Sequence, residues 1–320
     1  MSTTQRPVIW IGEPEDFCEA AKAILETHAE VISRRIDENE LTEVFNQCDV
    51  FILRLGLKIE AKDLNQTQRC KIIATPVTGI DHIDIGACRE NNIQLISLKG
   101  EEIFLREVRA TAEHTFALLF ALIRNIVPAS QHVAQKHFDR DLFRGRELYQ
   151  KSFGIIGYGR LGKIVANYAK AFGMKVLINE IDKKKIPENT EFEFLELNDM
   201  LMQSDFVSLH VDANSDNIHM VDKKFLSRMK NTAYLINTSR GSLVNESDLV
   251  DALENRIISG AALDVVDGEP NPDFESILFK YQRQNSNLLL TPHLGGNTFE
   301  SLEKTECFIA QKIIDQLIHA

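Results

Sequence analysis

Short apolar runs recur through the second half of the chain, and stretches with helical spacing separate most of them. The runs are continuous rather than alternating, so strands formed by them must be buried on both faces. A parallel sheet with helices packed on either side buries such strands. We therefore expect an α/β arrangement with a parallel sheet. The runs cover residues 153–156, 175–178, 206–209, 233–236, 260–263 and 287–290.

The first half of the chain carries similar runs, at residues 8–12, 50–53, 71–74 and 93–96. Apolar residues at helical spacing over 111–125 predict a long, mostly buried helix, and those over 299–318 predict an amphipathic one. With 320 residues, the chain has the length of about two domains.

Charge and cysteine usage narrow the functions to expect. The formal net charge is −11, and an acidic chain repels a phosphate backbone, so nucleic-acid binding is not expected. Five scattered cysteines without a CxxC pair favour reduced thiols over a disulfide framework, and no residue cluster has metal-ligand spacing. The sequence shows neither an apolar leader core near its start nor a run long enough to span a membrane. We expect a cytoplasmic protein without membrane partners or metal.

A glycine-rich segment between two predicted elements has the pattern G-x-G-x-x-G. It joins the strand-like run 153–156 to a helix-like run, which is the context that dinucleotide binding requires. Gly157 permits a tight turn, Gly159 lets the backbone approach a pyrophosphate, and Gly162 lets helix and strand pack closely. The amides of Arg160 and Leu161 are then aimed at the anion. The alternative is a tight turn without a ligand.

Glu180 ends the next strand-like run. A carboxylate at this position accepts hydrogen bonds from a ribose diol and repels a 2′-phosphate, which favours NAD over NADP. Lysines at 183–185 follow closely, and they either relax this preference or form a solvated helix start.

Three separate segments combine residue types suited to hydride transfer. Arg240 follows the run 233–236, and an arginine at a strand end can clamp a carboxylate and polarise a carbonyl. Glu269 and His293 follow the next two runs. A carboxylate paired with an imidazole favours its protonated form and fixes its tautomer, which suits proton exchange with a hydroxyl group. A lone arginine or histidine is more often a surface or structural residue.

These segments resemble the D-isomer-specific 2-hydroxyacid dehydrogenase family, and the resemblance covers nearly the whole chain. It implies that Arg240 binds and polarises a 2-oxo acid, that Glu269 pairs with His293, and that His293 is the general acid in reduction and the base in oxidation. The motifs that carry it lie at 78–84 (TGIDHID), 112–115 (AEHT), 157–162 (GYGRLG), 237–241 (NTSRG), 262–265 (ALDV) with 269–270 (EP), and 292–296 (PHLGG).

The resemblance also implies the remaining contacts. Asp264 is expected to hold the nicotinamide carboxamide and Glu180 the adenosine ribose. The implied cofactor-binding residues are Gly157, Gly159, Arg160, Leu161, Gly162, Glu180, His210, Thr238, Asp264 and Gly295. The implied substrate-binding residues, besides Arg240, are Arg54, Val77, Thr78 and Gly79.

Two Rossmann-like, doubly wound domains with a cleft between them are the fold that the family implies. Residues 1–110, completed by 297–320, then form a flavodoxin-like substrate domain, and 111–296 form the NAD-binding domain. Members of the family are commonly homodimers through the cofactor domain. The polar stretch 132–150 would lie in that contact, although a plain surface connection fits its composition equally well.

Three departures from the family pattern leave the substrate open. The first substrate loop reads Arg54-Leu55-Gly56-Leu57 where a small hydroxyl residue usually follows the arginine, the segment 100–111 lacks the usual Asn-Ser/Thr pattern, and Asp212 replaces a common proline. The cations Arg54, Lys58, Arg106 and Arg109 either bind a phosphate or second carboxylate or form surface salt bridges. Substrates to consider are therefore 3-phosphoglycerate or another anionic 2-hydroxy acid.

Two other functions remain as alternatives. The same fold serves NAD-gated, corepressor-like regulators, but a pure sensor needs only the cofactor site and not the Arg–Glu–His set. An NAD-dependent formate dehydrogenase is disfavoured, since that branch resembles a Gln–His arrangement and the chain has Glu269.

Overall fold

The computed structural model describes residues 6–65 and 69–319, and these form two compact units. The first unit comprises Met1–Val108 and Thr298–Ala320, and the second comprises Arg109–Asn297. Residues 1–5, on which the expectation of no secretion leader partly rests, lie outside the described residues.

Strands and helices alternate along most of the chain. The strands are β1 Val8–Ile11, β2 Glu30–Ser33, β3 Val50–Ile52, β4 Ile72–Ala74, β5 Gln94–Ile96, β6 Ser152–Ile156, β7 Lys175–Asn179, β8 Glu193–Phe194, β9 Phe206–Leu209, β10 Tyr234–Asn237, β11 Gly260–Leu263 and β12 Leu288–Leu290. The helices are α1 Glu19–Glu26, α2 Leu41–Phe45, α3 Ala61–Leu64, α4 Ile85–Glu90, α5 Glu102–Leu105, α6 Ala110–Ile123, α7 Ile126–Ala134, α8 Arg160–Ala171, α9 Leu197–Gln203, α10 Lys223–Leu226, α11 Glu246–Glu254, α12 Ile277–Gln282 and α13 Phe299–His319.

The first unit contains a five-stranded sheet in the order β2-β1-β3-β4-β5, with all neighbouring strands parallel. This order is the flavodoxin-like one. The last helix, α13, packs against α1 and contributes Ile309, Ala310, Ile313 and Ile314 to the core on one face of the sheet. These positions are spaced so that they lie on one face of the helix.

The second unit contains a seven-stranded parallel sheet in the order β12-β11-β10-β9-β6-β7-β8. Helix α6 lies over this sheet, and its Phe116 ring stacks on Phe153 of β6 at a centroid distance of 5.7 Å. The strand order reverses between β6 and β9, so β6 and β9 form a switch point, beside which ligands of open parallel sheets bind.

The expected α/β class with two parallel sheets is confirmed. Two edge strands, β2 and β8, were not predicted from the apolar runs. Strand β2 is partly exposed at each position and β8 has two residues, so neither forms a continuous apolar run. Both pair on one side only.

Among the described residues, no single helix is both long and apolar enough to cross a membrane. The segments Glu102–Ile123 and Ile126–Ala134 meet the length and composition test only when taken together across a bend of 60°.

Candidate active site

Three neighbouring strands of the second unit end at one level of the sheet. The register pairs Asn237 of β10 with Leu263 of β11, and Leu263 with Leu290 of β12. Arg240 and His293 each follow the last residue of their strand by three positions, and Asp264 comes directly after β11. The sheet therefore delivers segments that are far apart in sequence to one carboxyl edge.

His293 and Glu269 form a direct pair at this edge. The distance between His293 Nδ1 and Glu269 Oε2 is 2.5 Å, and the two side chains are 29% and 28% exposed. The other carboxylate oxygen, Oε1, accepts the backbone N–H of Val266 at 2.6 Å. Because a carboxylate on Nδ1 fixes the proton there, Nε2 becomes the nitrogen that exchanges a proton with a ligand.

The Asp264 carboxylate is buried under the loop that carries His293. Its Oδ1 accepts hydrogen bonds from the Thr291 hydroxyl at 2.6 Å and the Leu294 N–H at 2.8 Å, and its Oδ2 accepts the Gly295 N–H at 2.7 Å. His114 Nε2 lies 3.0 Å from Oδ1. Burial acts to raise the pKa of Asp264, but bonds from His114, Thr291 and Leu294 outweigh it and hold this pKa below its usual value.

The backbone of His293 is in the left-handed region, with φ of 53°. Its N–H donates to the Asp264 carbonyl oxygen at 2.8 Å. Left-handed conformations are uncommon for residues other than glycine and need support from their surroundings. The main chain and the carboxylate of Asp264 supply this support, so Asp264 holds the backbone of His293 in place.

The turn that carries Arg240 packs directly on the segment that holds Glu269. A Cβ on Gly241 would lie 2.1 Å from the carbonyl of Val266, whose N–H binds Glu269. The Asn237 side chain donates to the Arg240 carbonyl at 2.7 Å, and Arg240 Nη1 donates to the Ser239 carbonyl at 2.7 Å. The Arg240 turn therefore lies against the segment whose backbone binds Glu269.

The glycine turn has the geometry that a pyrophosphate needs. Gly157 has φ of 94°, and a Cβ there would lie 2.4 Å from the His210 carbonyl oxygen. A Cβ on Gly162 would lie 2.0 Å from the Gly157 carbonyl oxygen, whereas one on Gly159 meets nothing within 4 Å. Gly159 is also the N-cap of α8, so the space beside it faces the positive end of a helix. An anion fits there.

Glu180 lies beside this turn. Its Oε2 accepts the Tyr158 N–H at 2.7 Å and its Oε1 accepts the Asp182 N–H at 2.8 Å. Each oxygen keeps a lone pair, so the held carboxylate can still accept hydrogen bonds from two hydroxyl groups. This arrangement fits an adenosine ribose.

His210 and Thr238 lie at the ends of β9 and β10. His210 Nε2 is 2.8 Å from the Ser208 hydroxyl, and its Nδ1 is buried without a hydrogen-bond partner among the described residues. Burial lowers the pKa of His210 to about 3, so the imidazole is neutral. The Thr238 hydroxyl is 3.0 Å from that of Thr115. The orphan nitrogen fits a polar ligand near the glycine turn.

The four remaining sequence candidates lie in the first unit. Val77, Thr78 and Gly79 follow β4, where Thr78 is exposed and the Val77 carbonyl accepts the Leu98 N–H at 3.2 Å. Arg54 follows β3, but its guanidinium is engaged within this unit. It donates to the carbonyls of Glu13 and Glu15 and lies 3.6 Å from Glu306 Oε1.

Some residues of these networks were not predicted as functional. His114 lies in the AEHT motif but in none of the expected binding or catalytic sets, and its contact with Asp264 depends on how α6 packs on the sheet. Glu13 and Glu306 belong to no motif, and their partner Arg54 lies far away in sequence. Thr291 directly precedes the PHLGG segment, and this position is the one sequence feature that could have pointed to it. Among the described residues, no group of three His, Cys, Asp or Glu side chains could hold a metal ion.

A dinucleotide turn and a carboxylate–imidazole pair on one parallel sheet define the class of NAD-binding oxidoreductases. A family model described as the NAD binding domain of D-isomer specific 2-hydroxyacid dehydrogenases matches residues 116–295. The chain belongs to the D-isomer specific 2-hydroxyacid dehydrogenase family.

Individual relatives agree with this assignment. A glyoxylate reductase from Thermococcus litoralis is 35% identical over 86% of this chain and 82% of its own length. A D-3-phosphoglycerate dehydrogenase from Synechocystis is 34% identical over 92% of this chain but only 52% of its own length, so the chain spans about half of that relative. A crystal structure of D-lactate dehydrogenase from Aquifex aeolicus, complexed with NAD and lactic acid, has 27% identity and a TM-score of 0.80, covering 98% of this chain and 95% of that one.

Proposed function

We propose that this protein transfers a hydride between NAD(H) and C2 of a D-2-hydroxy acid or its 2-oxo acid. The observation that carries the proposal is the Glu269–His293 pair, whose Nδ1 and Oε2 atoms lie 2.5 Å apart, with the loop of His293 held by Asp264. NADH, when bound, supplies the hydride to the carbonyl carbon. The relatives are named for reactions that they catalyse, and nothing among them supports the regulatory alternative.

The residues of the chain then do the following. Arg240 binds the substrate carboxylate and polarises the carbonyl, since a guanidinium offers two parallel donors. His293 donates a proton from Nε2 to the carbonyl oxygen during reduction and accepts it during oxidation. Glu269 stabilises the imidazolium and keeps Nε2 directed at the substrate. Val77, Thr78 and Gly79 of the first unit are proposed to receive the substrate carboxylate.

For the cofactor, we propose a preference for NAD over NADP. The Glu180 carboxylate is fixed by two backbone N–H groups, so it cannot turn away from a 2′-phosphate without breaking hydrogen bonds. The proposed binding set further includes the glycine turn with Arg160 and Leu161, and His210, Thr238, Asp264 and Gly295.

Kinetics with NADH and a panel of 2-oxo acids tests the proposed reaction. We expect turnover with at least one small 2-oxo acid, and loss of most of it in Arg240→Ala without loss of folding. If the folded protein turns over no acid of the panel, the proposed activity is wrong.

We also propose a homodimer through the second unit. The stretch 132–150 includes the end of α7 and a short 3-10 helix, and it exposes Val133, Phe138, Leu142 and Tyr149. Large exposed apolar side chains concentrated in one stretch of the chain favour a protein–protein contact there. Light scattering after gel filtration should give twice the chain mass. Phe138→Asp should reduce it to one chain mass, whereas Phe299→Asp, at an equally exposed site of the first unit, should not.

A cytoplasmic location is proposed on the state of the thiols. All five cysteines are free, and Cys48, Cys70 and Cys88 are buried. Unpaired thiols persist in a reducing compartment. Fractionation of the source cells tests this, and recovery of the protein from an oxidising compartment would contradict it.

A further inference from the structure

The sheet of the first unit has its own switch point, between β1 and β3. Strand β2 flanks β1 on one side and β4 flanks β3 on the other, so the strand order reverses between them. Ligands of open parallel sheets bind outside the carboxyl ends of the strands at such a point. Glu13 follows β1 and Arg54 follows β3, so both lie at this position.

Two backbone N–H groups at this point already hold an anion, which is the carboxylate of Glu13. The Arg54 N–H donates to Glu13 Oε2 at 2.5 Å, and the Gly56 N–H donates to Oε1 at 2.9 Å. A Cβ on residue 56 would lie 2.5 Å from that oxygen, so glycine permits the close approach. The donors that could receive an anionic group of a ligand are thus occupied by the protein.

The cation at this point is also engaged by the protein. The Arg54 side chain is 19% exposed, and its guanidinium faces Glu306, whose side chain is 0% exposed. The second oxygen of Glu306 accepts the Cys18 N–H at 2.6 Å. Since the buried carboxylate and two backbone carbonyls hold Arg54, the guanidinium cannot turn toward a ligand without leaving Glu306 unpaired.

Two neighbouring cations also have carboxylate partners, in pairs that are exposed. Lys58 lies 2.9 Å from Glu60, and Arg35 lies 3.0 Å from Glu15. At the switch point the Arg54 guanidinium is paired with the Glu306 carboxylate, and the Glu13 carboxylate, held by two backbone N–H groups, adds a further negative charge. A ligand that places a second negative charge here meets repulsion, while a neutral or hydroxyl-bearing group can donate to Glu13.

We propose that Glu13 is a specificity-determining residue that excludes 2-oxo acids with a second anionic group and favours monoanionic ones. This inference rests on the proposed function, in which the first unit receives the substrate. Of the substrate classes that the sequence left open, this inference disfavours phosphorylated acids and dicarboxylates. Exclusion of a competing ligand by an unfavourable charge is a common source of specificity.

Two pairs of acids that differ in the second anion provide the test. The first pair is 2-oxopentanoate and 2-oxoglutarate, which share the same carbon chain, and the second is hydroxypyruvate and 3-phosphohydroxypyruvate. We expect wild type to have the higher kcat/KM for the monoanion of each pair. The ratio to compare is kcat/KM for the monoanion divided by kcat/KM for the acid with the second anionic group. In Glu13→Gln and Glu13→Ala this ratio should fall by at least about tenfold, because one repulsive charge is removed at close range.

The matched control is Glu26→Gln, which removes a carboxylate from an exposed ion pair at the end of α1 and should leave the ratio unchanged. Glu13→Gln keeps the shape of the side chain and one of its two acceptors, so it serves if Glu13→Ala does not fold. A wild type that prefers the acids with the second anionic group, or a ratio that does not move in either folded variant, overturns this inference and leaves the proposed function standing. A folded wild type that turns over none of the four acids with NADH overturns both.

Discussion

The Asp264 carboxylate holds the loop of His293 in place by accepting hydrogen bonds from the N–H groups of Leu294 and Gly295. The Asp264 carbonyl accepts the N–H of His293 itself. One buried residue thus fixes both sides of the residue proposed to exchange the proton. Positioning of this kind matters in catalysis because small displacements of a reacting group cost large factors in rate.

Asp264→Asn should lower both stability and turnover. The amide nitrogen cannot accept the N–H groups that the carboxylate accepts, and a buried donor left without a partner costs about 1–3 kcal/mol. Urea unfolding should show a loss of this size. The control is Thr291→Val, which removes one of the donors and should cost less. Equal stability of Asp264→Asn and wild type would show that the network does not hold the loop.

Glu269→Gln tests the contribution of the carboxylate to the acid–base pair. The neutral amide stabilises an imidazolium less than a carboxylate does, so proton exchange with the 2-oxo acid should be slower. Turnover at neutral pH should fall by about tenfold or more. The measurement is kcat with the 2-oxo acid for wild type and variant. A folded variant with the turnover of wild type would remove Glu269 from the proton transfer.

Two glycines of the second unit should respond differently to a methyl group. In Gly241→Ala the new Cβ meets the Val266 carbonyl at 2.1 Å, so the turn must move and the free energy of unfolding should fall by about 1–3 kcal/mol. In Gly159→Ala the Cβ meets no atom within 4 Å, and the free energy of unfolding should stay within about 0.5 kcal/mol of wild type.

NADH binding should nevertheless weaken in Gly159→Ala, because the methyl group fills the space proposed for the pyrophosphate. Unfolding curves measure the stability of the two variants, and fluorescence titration measures NADH affinity. Unaltered NADH affinity in Gly159→Ala would contradict the proposed position of the pyrophosphate.

Glu180→Ala should narrow the preference for NADH over NADPH. Removal of the carboxylate removes its repulsion of the 2′-phosphate and its acceptors for the ribose diol. We expect the Kd for NADH to rise and the Kd for NADPH to fall, each by about tenfold. Asp182→Ala, which alters a neighbouring carboxylate, is the control. A wild type that binds NADPH at least as tightly as NADH would contradict the assigned preference.

The sequence predicted those features that depend on residues close together along the chain. The strand β7 and the glycine turn are examples, because apolar continuity and a G-x-G-x-x-G pattern are local signals. The edge strands β2 and β8 gave no such signal. The return of α13 to the first unit was expected only from the family resemblance, since apolar spacing shows that a helix has a buried face but not which surface buries it.

The contacts of the sites depend on tertiary structure. Residues 54 and 306 meet only because α13 packs on the first unit, so the sequence could suggest Arg54 as a substrate ligand but not its engagement with a buried carboxylate. Similarly, His114 reaches Asp264 through the packing of α6. The roles proposed for Arg240, Glu269 and His293 remain predictions.

The most direct test is NADH oxidation by wild type and His293→Ala, measured with the best 2-oxo acid of the panel. A general acid contributes about 10²–10⁴-fold to such a step, so kcat should fall by that factor while NADH affinity and the unfolding transition stay unchanged. A folded His293→Ala variant that retains the turnover of wild type would contradict the central claim that this imidazole exchanges the proton.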